Sequence, residues 1–146
     1  MARMVDIGDK DAVKRVASAE GFLRLKKSTL EAISSNRVKK GDVITASKLA
    51  GIQAAKATST ILPLCHQIPL TAVRLDIAVR AGRLHCRCTV SAEYKTGVEM
   101  EALVGVSVAL LNAWDMVKYL EKDSHGQYPR TEISGVRVTR KTKGEG

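Results

Sequence analysis

One stretch limits the folds open to this chain more than any other: Thr96 to Asp123, TGVEMEALVGVSVALLNAWDMVKYLEKD. Thr96 with Glu99 three residues later has the form of a capping box, which predicts a helix starting there. The helix then runs apolar for several turns, through Leu103, Val106, Val108, Leu110, Leu111 and Met116. With Gly105, Ala109 and Ala113 added it is apolar nearly all round, which is more than one sheet face can cover. A second subunit is therefore expected against its far side. Asn112, Asp115 and Lys118 interrupt the apolar run. Asp115 and Lys118 are three apart and project about 60° from one another. Polar groups on an apolar wall cost free energy unless they are paired or used, so this region is a candidate site.

The rest of the chain arranges itself around that helix. Residues 1 to 12 are polar and read as irregular. Arg15 to Lys27 ends in the alternation Phe22, Leu23, Arg24, Leu25, which predicts a strand. Ser28 with Glu31 reads as a second capping box, opening a short helix that ends near Asn36. A basic turn, RVKKG, leads to Asp42, which should cap a helix of small residues (Ala46, Ala50, Gly51, Ala54, Ala55). That helix fades through Thr58-Ser59-Thr60 and must be over by Pro63. Val73, Leu75, Ile77 and Val79 then alternate with polar residues, as do Leu84, Cys86, Cys88 and Val90 after Ala81-Gly82. Period 2 on both sides of a tight turn predicts a hairpin. Ile133, Val136 and Val138 suggest a last strand, and the basic tail RKTKGEG reads as mobile, as do residues 1 to 4.

The order is β, α, α, β, β, α, β. Without the short first helix it is β-α-β-β-α-β, the ferredoxin-like plait of the α+β class, with helices on one face of an antiparallel sheet. At 146 residues a single domain is expected. Aromatics are only 3%, so the core must be aliphatic, and a net charge of +9 favours phosphorylated partners. The start has no apolar run of signal-peptide length. The longest apolar stretch, about Ala102 to Leu111, is short for a bilayer, which needs about 20 residues. A cytoplasmic protein without membrane contact is expected. Cys65, Cys86 and Cys88 have no C-x-x-C spacing, which suggests neither a disulfide framework nor a zinc site.

Several side chains could carry chemistry. Asp115 and Lys118 are either a surface ion pair worth a few tenths of a kcal/mol or a carboxylate that sets the proton affinity of a catalytic lysine. His66 lies in ILPLCHQIPL between two prolines, where it is either a satisfied histidine or an acid–base group. Cys65 beside it reads as packing. Lys40 precedes a helix N-terminus, a setting that attracts anions and equally suits an ordinary basic turn. Lys56 either is solvated or meets a phosphate. Glu99 has a place in the capping box, whereas Glu101 has no evident structural task. Glu101 and Asp115 lie about 21 Å apart along the helix. The ligand is therefore long, or the site combines two chains.

GDVITASKLAGIQAAKATSTILPLCHQIPL, TGVEMEAL and WDMVKYLEKD resemble the molybdenum cofactor biosynthesis protein C family, the cyclic pyranopterin monophosphate synthases. The resemblance runs from Met4 to about Lys141, and AGIQAAK, PLCH, TGVEMEAL and DM-x-K occur in the family's order. It implies conversion of a cyclised dihydroguanosine triphosphate to cyclic pyranopterin monophosphate with release of diphosphate. It also implies hexamers, trimers of dimers, with active sites between subunits. Asp115, Lys118, Lys40 and His66 match catalytic positions. Glu99, Met100 and Glu101 match the segment that lines the pterin end, and Leu64 and Cys65 of PLCH match substrate-binding positions. Lys10, Arg15 and Lys56 match basic positions for the triphosphate, and Lys141 a lysine near the C-terminus. No cofactor of the chain's own is implied. Mg²⁺ can accompany the triphosphate, but no carboxylate cluster marks a metal site. The tail and the segment DSHGQYPRTEISGVRV depart from the family pattern.

The main alternative is a basic, plait-shaped nucleic-acid-binding module. Such modules stack bases on sheet aromatics, and only Phe22 and Tyr94 are candidates here. A purely structural oligomer would leave His66 and Asp115 unexplained.

Overall fold

The computed structural model describes residues 1–144. In chain order it contains β1 (Val13–Arg24), α1 (Lys27–Ser34), α2 (Val43–Lys56), α3 (Thr58–Ile61), β2 (Leu70–Arg80), β3 (Arg83–Tyr94), α4 (Glu99–Glu121) and β4 (Glu132–Lys143). The expected order of elements is found, with the single turn α3 added where α2 was expected to fade. The four strands form one sheet in the order β2-β3-β1-β4, and every neighbouring pair is antiparallel. β3 lies between β1 and β2, and β1 lies between β3 and β4. Each β-α-β unit is thus split by a strand of the other, as in the ferredoxin-like plait.

The hairpin follows from its alternation. β2 pairs with β3 from Leu70 opposite Ala92 to Arg80 opposite Arg83. Ala81 and Gly82 turn the chain with φ of 52° and 72°. Two consecutive positive φ values give a turn whose twist matches that of the strands. Leu84, Cys86, Cys88, Val90 and Ala92 of β3 are all buried, as are Ala17, Ala19, Gly21 and Leu23 of β1. These period-2 sets form the sheet's inner face. Burial pushes the thiols of Cys86 and Cys88 up to about 12, so both act as small hydrophobes.

α4 lies on that inner face. Its buried positions are Glu101, Ala102, Gly105, Val106, Ala109, Leu110, Ala113, Met116, Val117 and Glu121, the i, i+3, i+4 stripe of a helix packed on one side. α4 covers β1, β3 and β4, while α2 covers β2 and packs along α4. The two helices cross where both carry glycine. A Cβ on Gly51 would stand 2.9 Å from the Gly105 carbonyl oxygen, and a Cβ on Gly105 2.7 Å from Cys88 Sγ. By length and composition α4 could cross a membrane, more than the short apolar run had suggested. Half of its most apolar window is buried inside the fold, as in the core helix of a soluble protein.

Neither expected capping box forms. α4 starts at Glu99, with Val98 at the cap position and no side-chain cap; α1 follows Lys26, again without one. Instead, Glu99 is drawn to Lys141 by an ion pair of 2.9 Å. α1 is held at its N-terminal end by Glu121, a buried carboxylate of α4. Glu121 accepts hydrogen bonds from the Lys26 backbone N–H at 3.1 Å, the Thr29 hydroxyl and the Thr131 hydroxyl at 2.8 Å. Asp42 does cap α2, accepting from the Thr45 backbone N–H at 3.0 Å and from its hydroxyl at 2.7 Å.

The basic tail carries more strand than its composition suggested. Arg140, Lys141, Thr142 and Lys143 pair with Ser18, Ala17, Val16 and Arg15 of β1. Backbone pairing to a central strand overrides the charge of these side chains, because the side chains project away from the ladder. The expectation of mobility for residues 145 and 146 lies outside the described residues.

Candidate active site

The candidate residues gather at the two ends of α4. At its C-terminal end the approach to α2 forms a short, braced loop. Val38 is buried, and Gly41 adopts φ of 110°, a conformation that suits glycine. The Lys39 backbone N–H donates to the Tyr119 hydroxyl at 2.9 Å, and the Lys39 ammonium sits over the Tyr119 ring at 5.2 Å. This bracing presents Lys40 to α4. Lys40 Nζ is 3.0 Å from Asp115 Oδ2, and Lys118 Nζ is 3.2 Å from Asp115 Oδ1. The Lys40 contact, then the Lys118 contact, holds the Asp115 carboxyl below the usual aspartate range. Each of the three side chains is about half exposed, so the cluster opens to solvent in the single chain. The i, i+3 ion pair of Asp115 and Lys118 is present, and a third charge from a distant loop completes it. Two ammonium groups on one carboxylate leave a net positive charge.

At the N-terminal end of α4 a second cluster forms. His66 lies in the irregular segment after α3, and its Nε2 lies 2.6 Å from the Val5 carbonyl oxygen. A carbonyl can only accept, so Nε2 carries a proton and Nδ1 is left for another partner. A cleft of about 410 Å³ opens here, lined by residues 4–8, His66, Tyr94 and Lys95. Arg15 is buried and donates to the carbonyls of Tyr94 at 3.4 Å and Lys95 at 3.3 Å. It thereby braces the turn that leads into α4. Lys95 Nζ donates to the Gly8 carbonyl at 3.3 Å and ties residues 4–8 in place.

Glu101 is the anomaly in this cluster. It is 3% exposed, and its Oε1 is buried with no hydrogen-bond partner among the described residues. Native proteins rarely leave a buried polar atom unpaired. Burial raises the Glu101 carboxyl above the usual range, and the nearby Glu99 charge adds to this. Cys65 is half-buried; burial first, then the Glu101 charge, pushes its thiol up. A thiol held protonated is a poor nucleophile. Leu64 and Met100 are exposed at the margins.

The structure thus joins Lys40, Asp115 and Lys118 at one end, and places Arg15, Glu99, Glu101 and Lys141 with the Cys65–His66 segment around the other. Lys10 and Lys56 join neither through a side-chain contact among the described residues. Lys10 is exposed just beyond the segment that lines the His66 cleft. Lys56 ends α2 and lines a separate groove with Ile52, Ile68 and Leu70. Lys95 and Tyr119 escaped sequence reasoning. Tyr119 had one signal: a hydroxyl-bearing ring on the polar side of α4, beside Lys118. Lys95 had none beyond its charge. Among the described residues, no group of three or more His, Cys, Asp or Glu could hold a metal ion.

A model of the MoaC family matches residues 4–144. A relative from Archaeoglobus fulgidus, named as a probable cyclic pyranopterin monophosphate synthase, is 54% identical over 97% of this chain and 91% of its own length. Relatives with the same name from Sulfolobus acidocaldarius and Thermococcus kodakarensis are each 54% identical over 98% of this chain, and over 100% and 92% of their own lengths.

Proposed function

The chain belongs to the MoaC family, and we infer from that membership that it is a cyclic pyranopterin monophosphate synthase of molybdenum cofactor biosynthesis. It acts as a lyase on a cyclised dihydroguanosine triphosphate, forming cyclic pyranopterin monophosphate and releasing diphosphate.

The observation that carries this reading is the Lys40–Asp115–Lys118 cluster. Ring closure at phosphorus forms a bond from a sugar-derived hydroxyl to the α-phosphorus and breaks the bond to the β-phosphate. Diphosphate leaves with the electron pair, and the hydroxyl proton passes to a base. Charge grows on the leaving phosphates, and two lysine cations placed in advance neutralise it as it forms. Asp115 holds both ammonium groups in position until the ligand arrives. Mg²⁺ can enter with the triphosphate.

The pterin end of the ligand goes to the other cluster. Ring opening and reclosure at nitrogen need acids and bases of moderate strength. His66, held at Nε2 by the Val5 carbonyl, is one and can exchange a proton at Nδ1. Glu101 is another: a buried carboxyl with raised proton affinity can donate a hydrogen bond to a ring nitrogen or accept one from a ring N–H.

The two clusters are too far apart along α4, about 21 Å from Glu101 to Asp115, for one pocket of one chain to join them. A second copy supplies the missing half, and the enzyme is a homo-oligomer, a hexamer built as a trimer of dimers. The outward side of α4 supports this, because Leu111 is 58% exposed and Met100 and Tyr119 are exposed as well. We place the enzyme in the cytoplasm, with the guanine nucleotide from which its substrate derives. The nucleic-acid reading is not favoured. Phe22 lies under the Arg83 guanidinium at 3.9 Å and packs on His85, and Tyr94 lines the His66 cleft. Neither ring is a free stacking platform.

Incubation with the cyclised triphosphate should yield diphosphate and the pterin product together. Absence of both from correctly folded protein overturns the reading. Sedimentation at micromolar concentration tests the oligomer, which fails if only a 15.8 kDa species is present.

A further inference from the structure

Gly97 stands in the turn between β3 and α4, and nothing in its backbone asks for glycine. Its φ is outside the left-handed region, unlike Gly41, Gly82, Gly126, Gly135 and Gly144. What surrounds it explains the residue. A Cβ built on Gly97 would stand 2.2 Å from Glu99 Oε1 and 2.9 Å from both Cδ and Oε2 of Glu99. Its three nearest neighbours all belong to that one carboxyl group. The Glu99 side chain therefore folds back across the bare Gly97 backbone and occupies the space a side chain would fill. From there its Oε1 meets Lys141 Nζ at 2.9 Å. Lys141 lies on β4, opposite Ala17 of β1.

We propose that Gly97 is a positioning residue: its missing side chain lets Glu99 fold back over the entry to α4 and hold Lys141 beside the Glu101 end of the site. The proposal deepens the reading of that end as the pterin-binding half and rests on it for its effect on turnover. Its structural content stands without that reading. The carboxyl group is the far end of a flexible side chain, so alanine at 97 displaces it rather than the backbone. The fold survives, and the link to Lys141 does not.

The test is a double-mutant cycle of Gly97→Ala and Glu99→Ala, read by the rate at which an amine-reactive reagent labels Lys141, located by peptide mass. Pairing with a carboxylate lowers the reactivity of an ammonium group. Gly97→Ala alone should speed labelling of Lys141 about threefold, the size an exposed ion pair supports. Glu99→Ala alone should do the same. Adding Gly97→Ala to Glu99→Ala should change nothing further, because the atoms a new Cβ would meet are gone. The same pattern should appear in turnover of the cyclised triphosphate. Unchanged labelling in Gly97→Ala overturns the proposal, and so does an equal acceleration by Gly97→Ala in both backgrounds. If the labelling cycle holds while wild-type protein makes no pterin product, the positioning role stands and the functional reading falls.

Discussion

Lys40 Nζ and Asp115 Oδ2 meet at 3.0 Å across 75 residues of sequence. This contact joins the loop before α2 to the outer side of α4, and Lys118 completes it at 3.2 Å. Lys118→Ala should abolish turnover, by at least about 100-fold, because it removes a charge that acts on the leaving phosphates. The fold should be nearly unaffected, since an exposed i, i+3 pair contributes only about 0.3–0.5 kcal/mol. Diphosphate release and thermal melting together check this. Near-normal product formation would remove Lys118 from the mechanism.

Asp115 makes a prediction about acid. Its folded carboxyl titrates below the usual aspartate range because of Lys40, then Lys118. A depressed carboxyl contributes stability above its unfolded pKa and loses it as pH falls through the folded one. Wild-type protein should therefore lose more stability than Asp115→Asn between about pH 5 and pH 2. Melting curves across that range measure it, and parallel losses would mean the contacts are absent in solution. The half-exposed geometry makes the difference small, and salt should shrink it further.

Glu101 has the opposite sign. Burial raises its carboxyl, so stability is full below the unfolded pKa and falls as pH rises through the folded pKa. Glu101→Gln keeps the shape without the ionisation. It should melt at the same temperature as wild type in acid and higher than wild type at neutral pH, with a flatter dependence on pH. Turnover should fall about 100-fold, the scale of one general acid or base. A variant that is less stable at neutral pH would show that the charged form has a partner.

Gly51→Ala sets two terms against each other. Alanine favours a helix interior over glycine by about 1 kcal/mol. At this position, however, the new Cβ would lie 2.9 Å from the Gly105 carbonyl oxygen, which is backbone and cannot swing aside. Overpacking of this kind costs about 1–3 kcal/mol, so the steric term should win and the variant should be destabilised. Urea unfolding decides the sign, and a more stable variant would show that α2 and α4 separate easily.

Much of this protein could be read before any coordinates. The hairpin from Leu70 to Tyr94 was legible because period-2 alternation and a two-residue turn are local signals. α4 was legible for its length and apolar content, and Asp42 for its place before a helix. The family motifs pointed to Asp115, Lys118, Lys40 and His66 as candidates without showing where each would lie. The capping boxes failed because a box is only a pattern of two residues: Glu99 pairs instead with Lys141, 42 residues away. The strand at residues 140–143 was illegible for a related reason. Composition reports charge, but the pairing of β4 with β1 runs through backbone groups that every residue but proline carries in full.

The elements, their order and the chemical types at the site follow from local sequence, because helix and strand periods and turn residues act between near neighbours. Which charges meet was set by the packing of distant segments. Lys40 with Asp115, Glu99 with Lys141 and Glu121 with Thr29 and Thr131 are contacts between distant segments, and so is the burial that leaves Glu101 unpaired. An ion pair or hydrogen bond forms within about 3 Å, and closeness on that scale between distant residues comes from how the sheet and helices pack.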